Sequence, residues 1–143
     1  MHAISTHPAH GAVASLLAAN GLPWTDLSER HLDHFFCAGS TDSPTGVVGL
    51  EMLGEDALLR SLAVHTSVRS AGLGTALVEH AEAHARANGV RTIYLLTTTA
   101  EAFFARRGYV SLDRELAPAG IRSTREFADI CPSSSAFMVK HLK

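Results

Sequence analysis

The stretch Leu62-Ala63-Val64-His65-Thr66-Ser67-Val68-Arg69-Ser70-Ala71-Gly72-Leu73-Gly74-Thr75 has the makings of an anion-binding turn. An apolar strand runs into a short loop, and a helix opens on two glycines. Glycine lets backbone approach a ligand with no Cβ in the way. The first helical turn leaves several N–H groups without intrahelical partners, and the helix dipole adds partial positive charge there. A pyrophosphate suits such a site, and Arg69 can add charge or pin the loop. The string is not a Walker loop, because no Gly-Lys-Ser/Thr follows. It is not a full dinucleotide fingerprint either, because Gly74 continues into Thr75-Ala76-Leu77 without a third glycine. On these residues alone, an ordinary glycine-rich loop before a helix is an equal reading.

Other chemistry-bearing residues form weaker patterns. His80 and His84 are four apart with Glu82 between them, a spacing that can hold a metal. The zinc-protease order needs Glu directly after the first His, where Ala81 stands, and the sequence shows no third ligand. The expectation is therefore no metal. No G-x-S-x-G elbow marks a serine hydrolase. Cys37 and Cys131 are far apart and outside any C-x-x-C pattern, so both are read as reduced thiols.

The loop needs a strand before it and a helix after it, and the surrounding pattern provides both. Residues 2–5 read as a short strand. Pro8 suits the start of a helix bearing Val13, Leu16 and Leu17 on one face, ended by Asn20-Gly21. Thr25-Asp26 reads as the cap of a second short helix through residue 30. Strands are expected over 35–38, 47–53 and 57–64, the last two joined by a tight turn at Gly54-Glu55-Asp56. A helix over 72–87 places Leu73, Leu77, Ala81 and Ala85 on one face. Residues 92–97 (Thr-Ile-Tyr-Leu-Leu-Thr) read as a buried central strand. A short helix over 100–107, a strand over 109–112, a helix over 118–130 and a last strand over 136–140 complete the chain. Strand, helix, strand around 72–87 implies one parallel pair in a mixed sheet, with helices on both faces.

The totals agree with this picture. The 143 residues suit one α/β domain, and 46% hydrophobic against 18% charged residues describes a globular chain. A formal net charge of -2 gives no basic face for nucleic acid. No run approaches the ~18 apolar residues of a membrane span, and residues 1–10 do not resemble a signal peptide. The expected location is the cytoplasm, with no membrane partner.

A second stretch lies at the right distance from the first. The strand 93–97 is followed by Thr98-Thr99-Ala100-Glu101-Ala102-Phe103-Phe104-Ala105-Arg106-Arg107-Gly108-Tyr109. Together the two stretches resemble the GNAT superfamily of acyl-CoA N-acyltransferases. Val64, Arg69, Gly72 and Gly74 match its loop motif. Ala100, Phe103, Gly108 and Tyr109 match its A-x-x-F-Y-x-x-x-G-F motif, with Tyr in place of the final Phe. The order of elements matches along nearly the whole chain. The resemblance implies a single-domain mixed, mostly antiparallel sheet of six or seven strands whose central parallel pair splays apart to hold acetyl-CoA. It implies pantetheine bonded by backbone of Leu62 and Val64, and pyrophosphate bound by N–H groups of Arg69, Ser70, Ala71, Gly72, Leu73, Gly74 and Thr75. It also implies an N–H near Ala63 or Val64 that polarises the thioester carbonyl, with Phe104 beside the cofactor. Family members commonly dimerise, so a homodimer is a further expectation.

The chain departs from the family at position 104. Many members place a tyrosine there to protonate the departing thiolate, and phenylalanine cannot. No general acid is assigned. Glu51 and His65 are the candidates for a base, each with a plain alternative as a solvated strand or loop residue. Leu95-Leu96-Thr97-Thr98-Thr99-Ala100 resembles N-acetyltransferases for glutamate-like amino acids. Residues 118–135, including Ile121-Arg122-Ser123-Thr124, resemble the small acetyltransferases encoded with arsenic-resistance genes. The implied acceptor is a small amine: an amino acid or an amino-acid-like toxin such as phosphinothricin or an organoarsenical. An acidic acceptor calls for arginine, whose fork pairs with such oxygens. Arg60, Arg122 and Arg125 are the candidates, Arg60 on the reasoning that it shares a strand face with Leu62. Its alternative is a surface strand residue paired to Glu51 on the neighbouring strand. A non-catalytic acyl-CoA-binding module is the rival reading of the whole.

Overall fold

The computed structural model describes residues 3–65, 72–125, 127–128 and 135–142. β1 (Ile4–Thr6), β2 (Phe35–Gly39), β3 (Pro44–Leu53) and β4 (Asp56–Val64) form an antiparallel meander. α2 (Leu73–Ala87) then crosses over to β5 (Thr92–Thr97), which lies parallel to β4. β7 (Ala136–His141) runs antiparallel between β5 and the short β6 (Val110–Ser111). The sheet order is β1-β2-β3-β4-β5-β7-β6.

Apolar side chains divide between the two faces. On one, Leu73, Leu77, Ala81 and Ala85 of α2 pack against Phe36, Val48, Leu59, Ile93 and Leu95, together with Phe104 of α3 (Glu101–Ala105). On the other, Val13, Leu16 and Leu17 of α1 (His10–Ala19) cover Phe35, Val47 and Ala63. Ile121 of α4 (Ala119–Arg122) packs over Leu58, Leu96 and Phe137 on that same side of the sheet. Gly46 sets how closely α2 can lie. A Cβ there would fall 2.9 Å from Leu77 Cδ1 and 3.0 Å from Leu73 Cδ2. The bare backbone therefore lets the first turns of α2 settle onto β3.

Three local expectations are corrected. The second helix at 25–30 does not form, and only a 3₁₀ turn, His31–His34, follows. The Asp26 carboxylate that would have capped it bonds to Arg60 instead. The helix expected from 118 is interrupted after Arg122. Ser123 Oγ donates to the carbonyls of Ala119 and Gly120, and Thr124 Oγ1 to that of Ile121, so hydroxyls compete with the helical ladder. The sixth strand is two residues long because Tyr109 is drawn into the core beside Phe104.

Candidate active site

The parallel ladder runs from Asp56↔Thr92 to Leu59↔Leu95 and stops. Beyond it β4 continues paired only to β3, and Leu96 and Thr97 of β5 pair only to β7. The two strands part past this point. A cleft of ≈ 630 Å³ fills the fork. Residues 59–62 and 95–100 form its floor, Phe104 and Ser135 close one side, and residues 20–25 with Trp24 wall the other.

The start of α2 is built from backbone. Gly72 has φ +78, in the left-handed region where a side chain is disfavoured, and opens α2. Among the described residues no side chain caps that turn. Arg69, Ser70 and Ala71 lie outside the described residues. Arg107 ties α3 to this turn. Its Nε and Nη2 donate to Thr75 Oγ1, its Nη1 donates to the Phe103 carbonyl at 2.7 Å, and its guanidinium lies 3.6 Å over the Phe103 ring.

No phenol faces this cleft among the described residues. Phe104 is buried in its lining. Tyr109 donates to Glu82 at 2.9 Å, and Lys140 Nζ donates to both oxygens of that carboxylate at 3.1 Å. Burial first, and then the Glu82 charge, push the Tyr109 hydroxyl far above its ordinary range. Tyr94 stacks on Phe137 on the opposite side of the sheet, and burial with the nearby Asp56 charge raises it too.

The acceptor-side wall is held by charge. β4 carries one extra residue against β3: Val47 pairs with Ala63, but Gly49 pairs with Arg60. Ser61 sits in that bulge with φ 61, a conformation disfavoured by roughly 1–2 kcal/mol for a residue with a Cβ. The bulge overturns the shared-face expectation. Leu59 and Leu62 both pack toward α2, while Leu58 and Ala63 pack on the α1 and α4 side, so Arg60 and Leu62 diverge. Arg60 is 2% exposed. Its Nη1 donates to Asp26 Oδ2 at 2.5 Å and to Glu51 Oε2 at 2.9 Å, its Nη2 to Asp26 Oδ1 at 2.8 Å, and its Nε to Ser61 Oγ at 3.0 Å. Burial pushes Asp26 up, but the Arg60 hydrogen bonds and charge outweigh it and hold the carboxyl below its usual range.

The remaining candidates are dispersed. Glu51 opens onto a separate shallow groove with His31 and His34. His65 is exposed past the end of β4, its N–H donating to the Thr45 carbonyl at 2.7 Å. Arg122 donates from Nε to the Ala117 carbonyl at 2.9 Å and from Nη2 to the Glu115 carbonyl. Arg125 is exposed and, like Arg122, lies outside the cleft lining. Among the described residues, Asp26, His31 and Glu51 bring ligand atoms within 4.8 Å of one another, but Arg60 already neutralises that cluster. His84 meets His34 at 3.3 Å and, with His80, packs its ring against Phe36.

Two features escaped the sequence reading. Asp26 was read as a cap, and nothing local signals a partner 34 residues away. Ser135 lies at the end of the stretch 118–135, where the sequence assigned it no role of its own. It is 6% exposed, and its Oγ is buried without a hydrogen-bond partner among the described residues. Such an orphaned group costs about 1–3 kcal/mol.

The acetyltransferase (GNAT) family profile matches residues 6–109, and the chain belongs to that family. It is 40% identical over 68 residues to an amino-acid acetyltransferase of Salmonella typhi, covering 48% of this chain and 15% of that protein. It is 35% identical over 90 residues to an uncharacterized N-acetyltransferase of Chlorobaculum tepidum, covering 62% of this chain and 57% of the other. In fold it matches N-acetylglutamate synthase from Neisseria gonorrhoeae, complexed with coenzyme A and N-acetyl-glutamate. That match has a TM-score of 0.83 at 21% identity and covers 100% of this chain and 35% of that one. It also matches Rv2747 from Mycobacterium tuberculosis, in complex with CoA and NLQ, with a TM-score of 0.78 at 20% identity over 99% of each chain. The expected fold class and family agree with these likenesses, and acetyl-CoA is the co-substrate consistent with them. No helix among the described residues is long and apolar enough to cross a membrane.

Proposed function

We propose that the chain acetylates the amine of a small amino acid or amino-acid-like compound by direct attack, with acetyl-CoA as donor. The observation that carries this reading is the parting of β4 and β5 past Leu59, with a cleft between them. The fit is physical: a gap between two strands suits an extended amide-bearing arm, and the start of a helix suits its phosphates. Acetyl-CoA supplies an activated thioester carbonyl.

The chain's own residues do the rest. Backbone of Leu62 and Val64 aligns the pantetheine arm, and N–H groups from Arg69 to Thr75 receive the pyrophosphate. The N–H of Ala63 or Val64 polarises the carbonyl, a task worth about 3–4 kcal/mol for one oxyanion donor elsewhere. Residues 20–25, Thr98 and Thr99 hold the acceptor amine against it, which replaces a bimolecular encounter by an aligned one. Arg60 supports this wall through Asp26: its Nη1 and Nη2 donate to that carboxylate, Nη1 also to Glu51, and its Nε to Ser61. Among the described lining residues Arg60 is the sole ionisable side chain, so the amine loses its proton to water. The rate then rises with pH towards the acceptor's own pKa, near ~8 for an α-amine.

The amino-acid acetyltransferase likeness supports a glutamate-like acceptor, with phosphinothricin and organoarsenical analogues as close alternatives. Thiol release from acetyl-CoA, measured with these compounds, simple amines and peptides, tests the reading. Release confined to amino-acid-like acceptors is expected. A flat panel with tight acetyl-CoA binding would favour a non-catalytic acyl-CoA-binding module, the reading that Phe104 favours. Absence of both binding and turnover would reject both.

A further inference from the structure

Ser135 stands immediately before β7, whose Ala136 pairs with Thr97 at the mouth of the fork. Its carbonyl accepts from Arg114 Nη2 at 3.1 Å, which fixes the main chain there. Ser135 is among the residues that line the cleft, as is Phe104, and its buried Oγ has no hydrogen-bond partner among the described residues. Folding alone gives no reason for a polar group at this point, since an apolar residue of similar size would avoid the desolvation. A hydroxyl rotor can aim its hydrogen wherever negative charge develops, and in a dry cleft such a donor acts strongly.

We propose that Ser135 Oγ–H is the hydrogen-bond donor to the sulfur that departs in acyl transfer, filling the role left open by Phe104. This rests on the acyltransferase reading. The amine nitrogen forms the new C–N bond, the C–S bond breaks, and its electron pair passes to sulfur. Ser135 keeps its proton and donates a hydrogen bond to that sulfur. The sulfur then takes a proton from water, balancing the one the amine gave up.

The test needs no acceptor. Coenzyme A bound to the protein is titrated by the ultraviolet absorbance of its thiolate, with free coenzyme A titrated alongside as reference. A donor aimed at sulfur favours the charged form, so the bound thiol is expected to titrate about one pH unit lower in the native protein than in Ser135→Ala. With an accepted amine, Ser135→Ala is expected to lower kcat by about 10–100-fold, near the lower range for proton-handling groups, with KM for acetyl-CoA unchanged. Phe104→Tyr placed in the Ser135→Ala background should restore part of that loss. Thermal stability should hold or rise in Ser135→Ala, because the variant removes an unpaired buried hydroxyl. Equal thiol titrations in the two proteins, or full kcat in Ser135→Ala, would overturn the assignment. Failure of coenzyme A to bind the native protein would overturn the acyltransferase reading itself.

Discussion

The two sides of the cleft are built by different means. The side proposed for the donor is main chain: β4 past its ladder with β5, a helix start on Gly72, and a close approach allowed by Gly46. The acceptor side is side chain: a wall at 20–25 tethered through Asp26 to a buried arginine that also holds Glu51. Main chain binds what every family member must bind, and its geometry tolerates many sequences. Side-chain charge can be rewritten residue by residue, which suits the part of the cleft that must choose among amines.

This contrast can be broken most forcefully at Arg60. Arg60→Met leaves two carboxylates facing each other without their cation, one fully buried and one nearly so. A loss of about 3–5 kcal/mol is expected in urea denaturation, the usual range for breaking one partner of a buried pair. Asp26→Asn combined with Arg60→Met should recover part of it. A loss near zero for Arg60→Met alone would mean the wall stands without the ion pair. Tyr109→Phe probes the donor side. It removes a hydrogen bond to a carboxylate, so about 1.5–3 kcal/mol of stability should go while kcat stays unchanged. A large fall in kcat would instead give Tyr109 a part in proton transfer. Gly72→Ala puts a Cβ into left-handed backbone that has open space around it, so strain alone acts. About 1–2 kcal/mol is expected, shared between weaker acetyl-CoA binding by calorimetry and a lower Tm, with Gly72→Asn milder.

The smallest effect sharpens the contrast through pH. Burial first, and then His34 and His80, hold His84 below its ordinary 6.5. The unfolded chain therefore binds that proton more readily, and stability falls as pH drops through and below 6.5. Asp26 is held below 3.8, so its contribution is present above that pH and is lost beneath it. Tm should decline gently below 6.5 and more steeply below 3.8, and His84→Gln should remove only the first step. An unchanged first step in that variant would assign it to another group.

Legibility in the sequence followed the same division. The strand–helix–strand unit was readable because β-branched and apolar runs, two glycines and a helical stripe are local signals, and α2 buries the very face read from spacing, while the parting of its strands came only with the family resemblance. The acceptor wall was not readable. Asp26 and Arg60 are 34 apart, and a capping aspartate looks the same in sequence as one paired across the fold. Arg60 was placed on the wrong face because strict alternation was assumed, and nothing in Leu-Arg-Ser-Leu-Ala announces a bulge. Ser123 and Thr124 did carry a readable signal, since hydroxyl residues in a putatively regular helix invite the break they produce. Ser135 was invisible because an orphaned donor is defined by what surrounds it.

The extra residue at Ser61 makes β4 a strand of two parities. Before it the odd-numbered residues look toward α2, and after it the even-numbered ones do. A single-residue deletion at Ser61 would restore strict alternation and merge the two parities into one. Leu62 and Val64 would keep the face of α2, and Ala63 the face that meets α1. Homologues of this chain that differ by one residue at that point should therefore be aligned by face and not by letter.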